Sequence, residues 1–230
     1  MTSKKIGILG GISPESTIAY YDHIIKQYYT RFKNYYYPEI VIYSLDFQRF
    51  TDFENSGDKL GYIDEILKGI TSLQKARVDF IIMAANSPHA VFDEIERFAI
   101  VPLLSIVEVT ADYAHKLGLK RLLLTGIKFT MQSNFYPVVC QQRDIQVITP
   151  TPEEQDEIDR IIFEELAIGL FKAESKHKLL SIINNYQVDG VILGCTELPL
   201  ILKQQDVVVP LLNTLELHAE AALDYALASD

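Results

Sequence analysis

The strongest constraint on the fold is an internal repeat of strand-like segments. Val78–Asn86 aligns with Val188–Thr196. A little further along each half, Val101–Ser105 aligns with Val209–Asn213. Each segment is an apolar run that ends in small or polar residues, and helix-like segments of similar length follow. Chance similarity of strand ends is the alternative, but the shared order favours a duplication that produces two lobes of similar construction.

The type of strand indicates how each lobe is built. In a third pair, Lys5–Gly10 resembles Lys120–Thr125 in its position near the start of its half. The strand-like runs are continuously apolar and alternate with helices, as in parallel sheets covered on both faces. We therefore predict an α/β protein with two pseudo-symmetric lobes, each a mostly parallel sheet covered by helices, and an active-site cleft between them. We assign residues 1–105 plus 213–230 to the N-terminal lobe and 106–212 to the C-terminal lobe.

Local signals predict individual helices. Ser13, followed by Pro14 and Glu15, is typical of a helix start with Ser13 as the N-cap. In the second half, we expect one helix over Thr130–Gln142 and a long amphipathic helix over Glu153–Phe171.

Composition excludes several classes of partner. The net charge of −10 argues against nucleic acid or an anionic membrane as a partner. No apolar run approaches the roughly 20 residues that span a bilayer. The five histidines lack metal-ligand spacing, and two cysteines are too few for a disulfide framework. Because no signal-peptide pattern follows Met1, a reduced cytoplasmic protein without a metal is expected.

Cys195 occupies the position where chemistry is expected. It follows an apolar strand and Gly194, and ligands of parallel sheets bind outside the carboxyl ends of the strands. Small residues there let backbone N–H groups approach a carboxylate, and a thiolate could move a proton at the neighbouring carbon. A buried structural cysteine is the alternative, and it is the favoured interpretation for Cys140, which lies inside a helix pattern.

Several polar residues near the strand ends are candidates for binding a small acid. They are Ser13, Asn86, Ser87, Thr125, Thr130 and Thr196. Helix capping is an alternative role for the first three and for Thr196, and both roles can coexist. Arg49 could clamp a second carboxylate with its guanidinium fork, or it is a solvated surface arginine. The Glu197 side chain either tunes Cys195 or caps the following helix, and capping is slightly favoured.

These motifs together resemble the aspartate/glutamate racemase family. The likeness spans nearly the whole chain in the family's order and is carried by six segments: Gly10–Thr17, Ala85–His89, Thr125–Gly126, Phe129–Met131, Ile162–Leu166 and Leu193–Pro199. The resemblance implies two similar α/β lobes, pairing into a homodimer, and racemisation without pyridoxal phosphate or a metal. It also implies two acid/base cysteines, one for each face of the substrate's α-carbon.

This chain departs from the family pattern at one of the two cysteines. Cys195 matches the second, but Ala85 stands at the position of the first and has no proton to exchange. Three functions remain open. The first is a racemase of aspartate and/or glutamate that uses Ser87 or water on the Ala85 face. The others are a single-cysteine decarboxylase or isomerase of the same superfamily, and a non-catalytic protein that binds small dicarboxylates.

Overall fold

Within residues 3–228, which the computed structural model describes, the first half of the chain folds around a parallel sheet of four strands. They are β1 (Ile6–Gly10), β2 (Ile40–Ser44), β3 (Phe80–Met83) and β4 (Leu103–Leu104). The hydrogen-bonded order is β2-β1-β3-β4. The helices of this half are α1 (Pro14–Phe32), α2 (Phe47–Ser56), α3 (Lys59–Lys75), α4 (Phe92–Glu96) and α5 (Ile106–Lys116), and a 3₁₀ turn covers Ser87–Val91.

The described part of the second half contains an equivalent sheet of four parallel strands. They are β5 (Arg121–Thr125), β6 (Gln146–Ile148), β7 (Gly190–Leu193) and β8 (Leu211–Asn213), in the order β6-β5-β7-β8. The helices are α6 (Lys128–Gln132), α7 (Phe135–Gln141), α8 (Pro152–Glu164), α9 (Ala173–Asn184), α10 (Leu198–Ile201) and α11 (Thr214–Leu227). Two 3₁₀ turns cover Leu166–Ile168 and Gln204–Asp206. The predicted α/β fold with two parallel sheets is confirmed.

The described residues divide into two compact units, one for each sheet. Residues up to Ile106 and those from His218 onward form the first unit, and Val107–Leu217 form the second. Helix α11 therefore begins in the second unit and continues in the first. Residues 1–2 and 229–230 of the predicted N-terminal lobe lie outside the described residues. None of the helices within residues 3–228 combines the length and apolar character needed to cross a bilayer.

The two sheets repeat each other in register as well as in strand order. In the first, Ile6 lies beside Phe80, and in the second, Leu122 lies beside Gly190. Because Phe80 and Gly190 are equivalent in the repeat, Ile6 corresponds to Leu122. The segments Lys5–Gly10 and Lys120–Thr125, which are similar in position within their halves, therefore contain the equivalent strands β1 and β5, with an offset of one residue between the two segments. The sequences of these two strands are too dissimilar to show this offset, which becomes visible only through their neighbouring strands β3 and β7.

Apolar helix faces cover each sheet. All four residues of β3 and all four of β7 are buried, as expected for central strands of a parallel sheet. In the first lobe, Ile66 and Ile70 of α3 pack with Leu9 of β1. In the second, Ile158 and Ile162 of α8 pack in a cluster that includes β5 and β7 residues. Each such buried side chain contributes about 1.5–3 kcal/mol to the free energy of unfolding.

The predicted start of α1 is confirmed in detail. Ser13 is the N-cap, and its Oγ accepts a hydrogen bond from the backbone N of Ser16 at 3.4 Å. Pro14 is the first helical residue and Glu15 lies in the first turn. The last helical residue is Phe32, and the C-cap residue Lys33 has left-handed backbone angles.

Two helix predictions in the second lobe are wrong. The segment Thr130–Gln142 forms the two short helices α6 and α7, because Ser133 has extended backbone angles that interrupt the helix. The long helix predicted over Glu153–Phe171 ends at Glu164. The buried carboxylate of Glu165 accepts a hydrogen bond from Ser175 Oγ at 2.5 Å, and this contact ties the end of α8 to α9.

Candidate active site

Cys195 and Ala85 occupy the same position in their respective lobes. The backbone N of Ala84 donates to the carbonyl of Leu9 at 2.8 Å, and the backbone N of Gly194 donates to the carbonyl of Thr125 at 2.7 Å. Ala85 directly follows Ala84, and Cys195 directly follows Gly194. Both stand at the carboxyl end of a central strand, which is where parallel sheets bind ligands. The alignment predicted from the repeat therefore holds at Ala85 and Cys195.

The thiol of Cys195 contacts a carboxylate two residues further along the chain. Its Sγ donates to Oε2 of Glu197 at 2.9 Å, and Thr196 Oγ1 donates to the same oxygen at 2.9 Å. Glu197 is the N-cap residue of α10, but among the described residues its side chain makes no capping hydrogen bond. The favoured interpretation of Glu197 as a helix cap is therefore wrong, because its carboxylate points back to Cys195 and Thr196.

These surroundings favour the neutral thiol over the thiolate. Burial raises the pKa of Cys195 well above its usual value, and the negative charge and hydrogen bond of Glu197 raise it further. One backbone hydrogen bond from the N–H of Glu197 acts in the opposite direction. Cys195 is therefore a neutral thiol at neutral pH, and it donates a hydrogen bond to the Glu197 carboxylate.

Two glycines hold the loop beside Cys195 close to the neighbouring strand. A Cβ on Gly194 would lie 2.7 Å from the carbonyl oxygen of Thr125, and a Cβ on Gly126 would lie 2.9 Å from that of Gly194. Both distances are too short for a side chain, so the two strand ends approach each other through backbone alone.

The two threonines predicted for this edge differ in their hydrogen bonding. Thr125 is buried, and its hydroxyl donates to the carbonyl of Ile192 at 2.8 Å. Thr130 is 1% exposed, and within residues 3–228 its Oγ1 has no hydrogen-bond partner. A buried hydroxyl without a partner costs free energy, which a bound acceptor would recover. The side chain of Thr130 also borders Gly194, since a Cβ there would lie 3.3 Å from Thr130 Cγ2.

In the first lobe, the residues after β3 are buried and hydrogen-bonded. Asn86 makes no capping hydrogen bond with its side chain within the described chain, and its carbonyl accepts from the backbone N of His89 at 3.0 Å. Ser87 hydrogen-bonds to the hydroxyl of Tyr62 on α3. That hydroxyl in turn donates to Oε1 of Glu54 at 3.2 Å. Neither Tyr62 nor Glu54 was predicted, because helical spacing alone does not show which polar side chains meet across two helices.

The first loop of this lobe, between β1 and α1, is rigidly built. Gly11 has a φ of 84°, and a Cβ there would lie 2.4 Å from backbone atoms of Leu45, so only glycine fits. Its backbone N donates to Thr17 Oγ1 at 2.8 Å, and that hydroxyl donates to the carbonyl of Ser13 at 3.0 Å. Ser13 therefore serves as a helix cap, and substrate contact by Ser13 stays a prediction.

Arg49 lies in the first turn of α2 and its side chain is 56% exposed. Its Nε is 3.4 Å from Oε2 of the largely buried Glu65, and its guanidinium lies 5.8 Å from the ring centre of Phe53. Much of its charge is thus already balanced by a carboxylate. Its role as a clamp for a substrate carboxylate stays a prediction.

The structure also brings together two buried histidines that the sequence pattern left scattered. The ring centres of His89 and His218 are 6.4 Å apart. His218 Nε2 lies 2.9 Å from the carbonyl of Leu104, so this nitrogen carries the proton, and Nδ1 accepts from Tyr20 at 2.9 Å. His89 Nε2 accepts from the backbone N of Ile106 at 3.2 Å. Burial lowers the pKa of His89 to about 3 and that of His218 to about 4, so both are neutral.

The second cysteine of the chain lies in the core. Cys140 is fully buried in α7, and burial raises its pKa to about 11, in agreement with its predicted place in the core. Among residues 3–228, no three histidine, cysteine or acidic side chains cluster closely enough to hold a metal ion.

Comparison with known proteins places the whole chain in one family. A family model described as Asp/Glu/Hydantoin racemase matches residues 9–222. The broad specificity amino-acid racemase RacX of Bacillus subtilis (strain 168) is 26% identical over 227 residues, which are 97% of this chain and 98% of that protein. The crystal structure of an aspartate racemase homologue from Pyrococcus horikoshii OT3 is 40% identical, with a TM-score of 0.85 over 97% of this chain and 99% of that one.

A second solved structure agrees even more closely in backbone. The crystal structure of a candidate Asp/Glu racemase from Yersinia pestis is 34% identical and has a TM-score of 0.91, over 98% of this chain and 100% of that one. The family model, the full-length similarity and the matching fold all lead to the same assignment. The chain belongs to the Asp/Glu/Hydantoin racemase family.

Proposed function

We propose that the protein is a cofactor-independent amino-acid racemase acting on aspartate and/or glutamate, with Cys195 as an acid/base at the substrate's α-carbon. The observation that carries the proposal is the hydrogen bond between Cys195 Sγ and Glu197 at the carboxyl end of β7. A thiol next to a carboxylate at the carboxyl end of a parallel strand suits proton transfer to a carbon atom. Membership of the racemase family supports the same reaction.

The roles of the two residues follow from their charges. As a neutral thiol, Cys195 delivers a proton to the planar intermediate that forms when the α-proton is lost. In the reverse direction the thiolate must form first, and Glu197 is the nearest acceptor for its proton, 2.9 Å away. While the Cys195 thiolate acts as a base, Glu197 holds the proton. Its carboxyl group is then neutral and does not repel the thiolate. The pair therefore shares one mobile proton between Sγ and Oε2.

The polar residues at the two strand edges supply candidate contacts for the substrate. Thr130 offers a buried hydroxyl and Thr196 a half-buried one, while Asn86 offers a side-chain amide. Arg49 is the candidate for an acidic side chain of the substrate. Because the Bacillus subtilis relative is named a broad specificity racemase, neutral amino acids belong in the substrate screen beside aspartate and glutamate.

A second candidate function rests on Ala85. Since Ala85 occupies the position equivalent to Cys195 and carries no ionisable group, the first lobe lacks the usual thiol. An enzyme with only Cys195 would protonate a planar intermediate from one face, as a decarboxylase of malonate-type substrates does. Such an enzyme would exchange an α-proton without inverting the centre, and it would release carbon dioxide from a malonate.

One experiment separates these functions. Each enantiomer of aspartate and glutamate is incubated in deuterated water, and both chirality and α-deuteration are followed over time. Inversion that disappears in Cys195→Ala but persists in Cys140→Ala supports the racemase. Exchange without inversion supports the one-sided enzyme. Calorimetric binding of a dicarboxylate, with neither exchange nor turnover, would instead identify a binding protein.

The resemblance to the family also leads us to propose a homodimer that works in the cytoplasm without pyridoxal phosphate. Sedimentation equilibrium measures the oligomeric state. Activity that survives hydroxylamine treatment and dialysis against a chelator would support catalysis by protein groups alone, whereas its loss would contradict that.

A further inference from the structure

The outer side of helix α1 carries large apolar side chains that are exposed to solvent. They belong to Ile18, Tyr21, Tyr29 and Phe32. At 3.6 residues per turn, these four positions fall within a sector of about 80° of the helix circumference. An exposed helix face of a globular protein normally carries polar residues instead. The first lobe therefore has an apolar stripe along the whole length of α1.

The turn that follows α1 extends this stripe with two more tyrosines. Asn34 Oδ1 accepts hydrogen bonds from the hydroxyl of Tyr28 at 2.9 Å and from the backbone N of Tyr36 at 3.1 Å, so the turn is tied to the helix. The ring of Tyr35 stacks on that of Tyr29, with centres 5.6 Å apart. Tyr35 and Tyr36 nevertheless stay mostly exposed. The apolar surface is thus continuous from the helix into the turn.

Strand β2, which begins three residues after Tyr37, is an open edge. Among the strands within residues 3–228, it pairs with β1 alone. Proteins commonly protect such edges with charged side chains, but β2 has none. Val41 packs in the cluster with α3, so the exposed Ile42 points to the opposite side of the sheet. That is the side of α1, whose described buried residues lie outside the α3 cluster.

The exposed area is what a stable dimer requires. The exposed fractions of the five aromatic residues are 47% for Tyr21, 41% for Tyr29, 48% for Phe32, 76% for Tyr35 and 83% for Tyr36. Together they leave roughly 600 Å² of aromatic surface in solvent. Two such surfaces in contact would bury about 1,200 Å², the lower limit of specific protein interfaces, before the isoleucines are counted.

The charge of this region favours a second copy over a strongly charged partner. The whole chain has a net charge of −10, so two copies repel each other over most of their surface. Residues 18–43 contain three basic residues, Lys26, Arg31 and Lys33, against two acidic ones, Asp22 and Glu39. The local balance of +1 removes this repulsion where the apolar side chains are exposed.

We propose that the outer stripe of α1, the turn at residues 34–37 and the edge strand β2 form the surface on which a second copy of this chain docks. This α1–β2 face rests on the proposed homodimer and assigns its interface, and it does not depend on the racemase chemistry. Around a twofold axis the α1–β2 face of one copy meets the same face of the other. Its tyrosines are the type of residue that anchors such interfaces.

The test is the double variant Ile18→Glu/Tyr36→Glu in the full-length protein, measured by sedimentation equilibrium. Both side chains are mostly exposed, so the substitutions leave the core intact. Each new charge enters the twofold interface twice. The dissociation constant of the dimer should rise at least about 30-fold, the effect of losing one important anchor residue.

The matched control is Leu60→Glu/Ile100→Glu. These two residues of the first lobe are 81% and 82% exposed and lie outside the α1–β2 face. The control adds the same charge and removes similar exposed apolar groups, so it separates the interface from general repulsion. Its dissociation constant should stay within about 3-fold of wild type, since substitutions outside an interface have small effects on binding.

Hydrogen exchange of the wild-type protein provides a second measurement that needs no substitution. Exchange is compared at protein concentrations above and below the dissociation constant. Amides of residues 18–43 should gain protection at the higher concentration, whereas those of α3 should exchange at the same rate. This comparison decides the question even where the glutamate variants fail to fold.

The outcomes distinguish the interface from the proposed homodimer. A dimer that Ile18→Glu/Tyr36→Glu leaves unchanged, or that the control weakens equally, would overturn the α1–β2 face and keep the homodimer. Exchange in residues 18–43 that is independent of concentration across the dimer transition would do the same. A wild-type protein that is monomeric at every concentration would overturn both and leave the α1–β2 face to a different partner, without bearing on the test for racemisation.

Discussion

Ala85 presents a methyl group at the strand end where its structural equivalent, Cys195, presents a thiol. The equivalence comes from matched hydrogen bonds, since the residue before each one donates its backbone N–H to the neighbouring strand at 2.8 and 2.7 Å. A strand end of this geometry can therefore hold a thiol in either lobe. In the first lobe of this protein that strand end carries a methyl group instead.

Restoring the thiol is the most direct prediction. Ala85→Cys should raise the rate of racemisation at least 10-fold, because a positioned acid/base group contributes roughly 10²–10⁴-fold and a thiol is more acidic than a serine hydroxyl. The measurement is the initial rate of inversion of both enantiomers, followed by circular dichroism. Ala85→Ser is the control of nearly equal size with a much weaker acid. An unchanged rate in Ala85→Cys would mean that the missing group never limited turnover.

Glu197→Gln should lower the pKa of Cys195, because the variant removes the negative charge that disfavours the thiolate. In a Cys140→Ala background, the pH dependence of alkylation by iodoacetamide reports this single thiol. The alkylation profile should move to lower pH, while kcat falls because the proton acceptor is gone. Glu216→Gln, an exposed acid in the first turn of α11, is the control and should leave the profile in place. A shift to higher pH in Glu197→Gln would contradict the proposed pairing.

The central elements of the fold could be predicted because their signals are local and repeated. Continuous apolar runs mark β3 and β7, and the Ser13-Pro14-Glu15 start of α1 depends on backbone chemistry within a single turn. The position of Cys195 after a strand follows from the same local pattern. The residue-by-residue correspondence between β1 and β5 was less accessible, since it emerges only from the pairing of β1 with β3 and of β5 with β7.

Contacts between distant side chains could not be predicted. The bond from Ser87 to Tyr62 and the approach of His218 to His89 depend on how helices pack on the sheet, which no local pattern encodes. The early end of α8 has the same origin, because the helix stops where Glu165 turns inward to Ser175. Even Glu197, next to the catalytic candidate, was assigned to capping because the direction of its side chain is a tertiary property.

The unpartnered hydroxyl of Thr130 leads to two predictions for its removal: stability should not fall, whereas substrate binding should weaken. Thr130→Val should leave the free energy of unfolding of the ligand-free protein unchanged or raise it, because it removes a buried polar group without a partner. If this hydroxyl binds the substrate carboxylate, the same variant should raise KM on the order of 10- to 100-fold, as for loss of a hydrogen bond to a charged group.

Thr125→Val is the matched control for that substitution. Its hydroxyl donates to the carbonyl of Ile192 at 2.8 Å, so the variant should lose about 1 kcal/mol of stability. Urea unfolding and steady-state kinetics measure both effects. Equal destabilisation by the two variants, with KM unchanged in Thr130→Val, would show that the Thr130 hydroxyl has a structural partner and no ligand.

The two buried histidines predict how stability depends on pH. Their pKa values in the folded protein, about 3 for His89 and about 4 for His218, lie below the usual value of about 6.5, so the unfolded chain binds more protons as the pH falls. Stability is therefore full above about pH 6.5 and decreases below it. Between pH 7 and pH 5 each histidine should cost about 2 kcal/mol of unfolding free energy.

Urea titrations of His218→Gln should show a shallower pH dependence over this range than wild type, whereas the exposed-residue control His177→Gln should not. An identical slope in wild type and His218→Gln would mean that His218 is already protonated or readily hydrated in the folded protein.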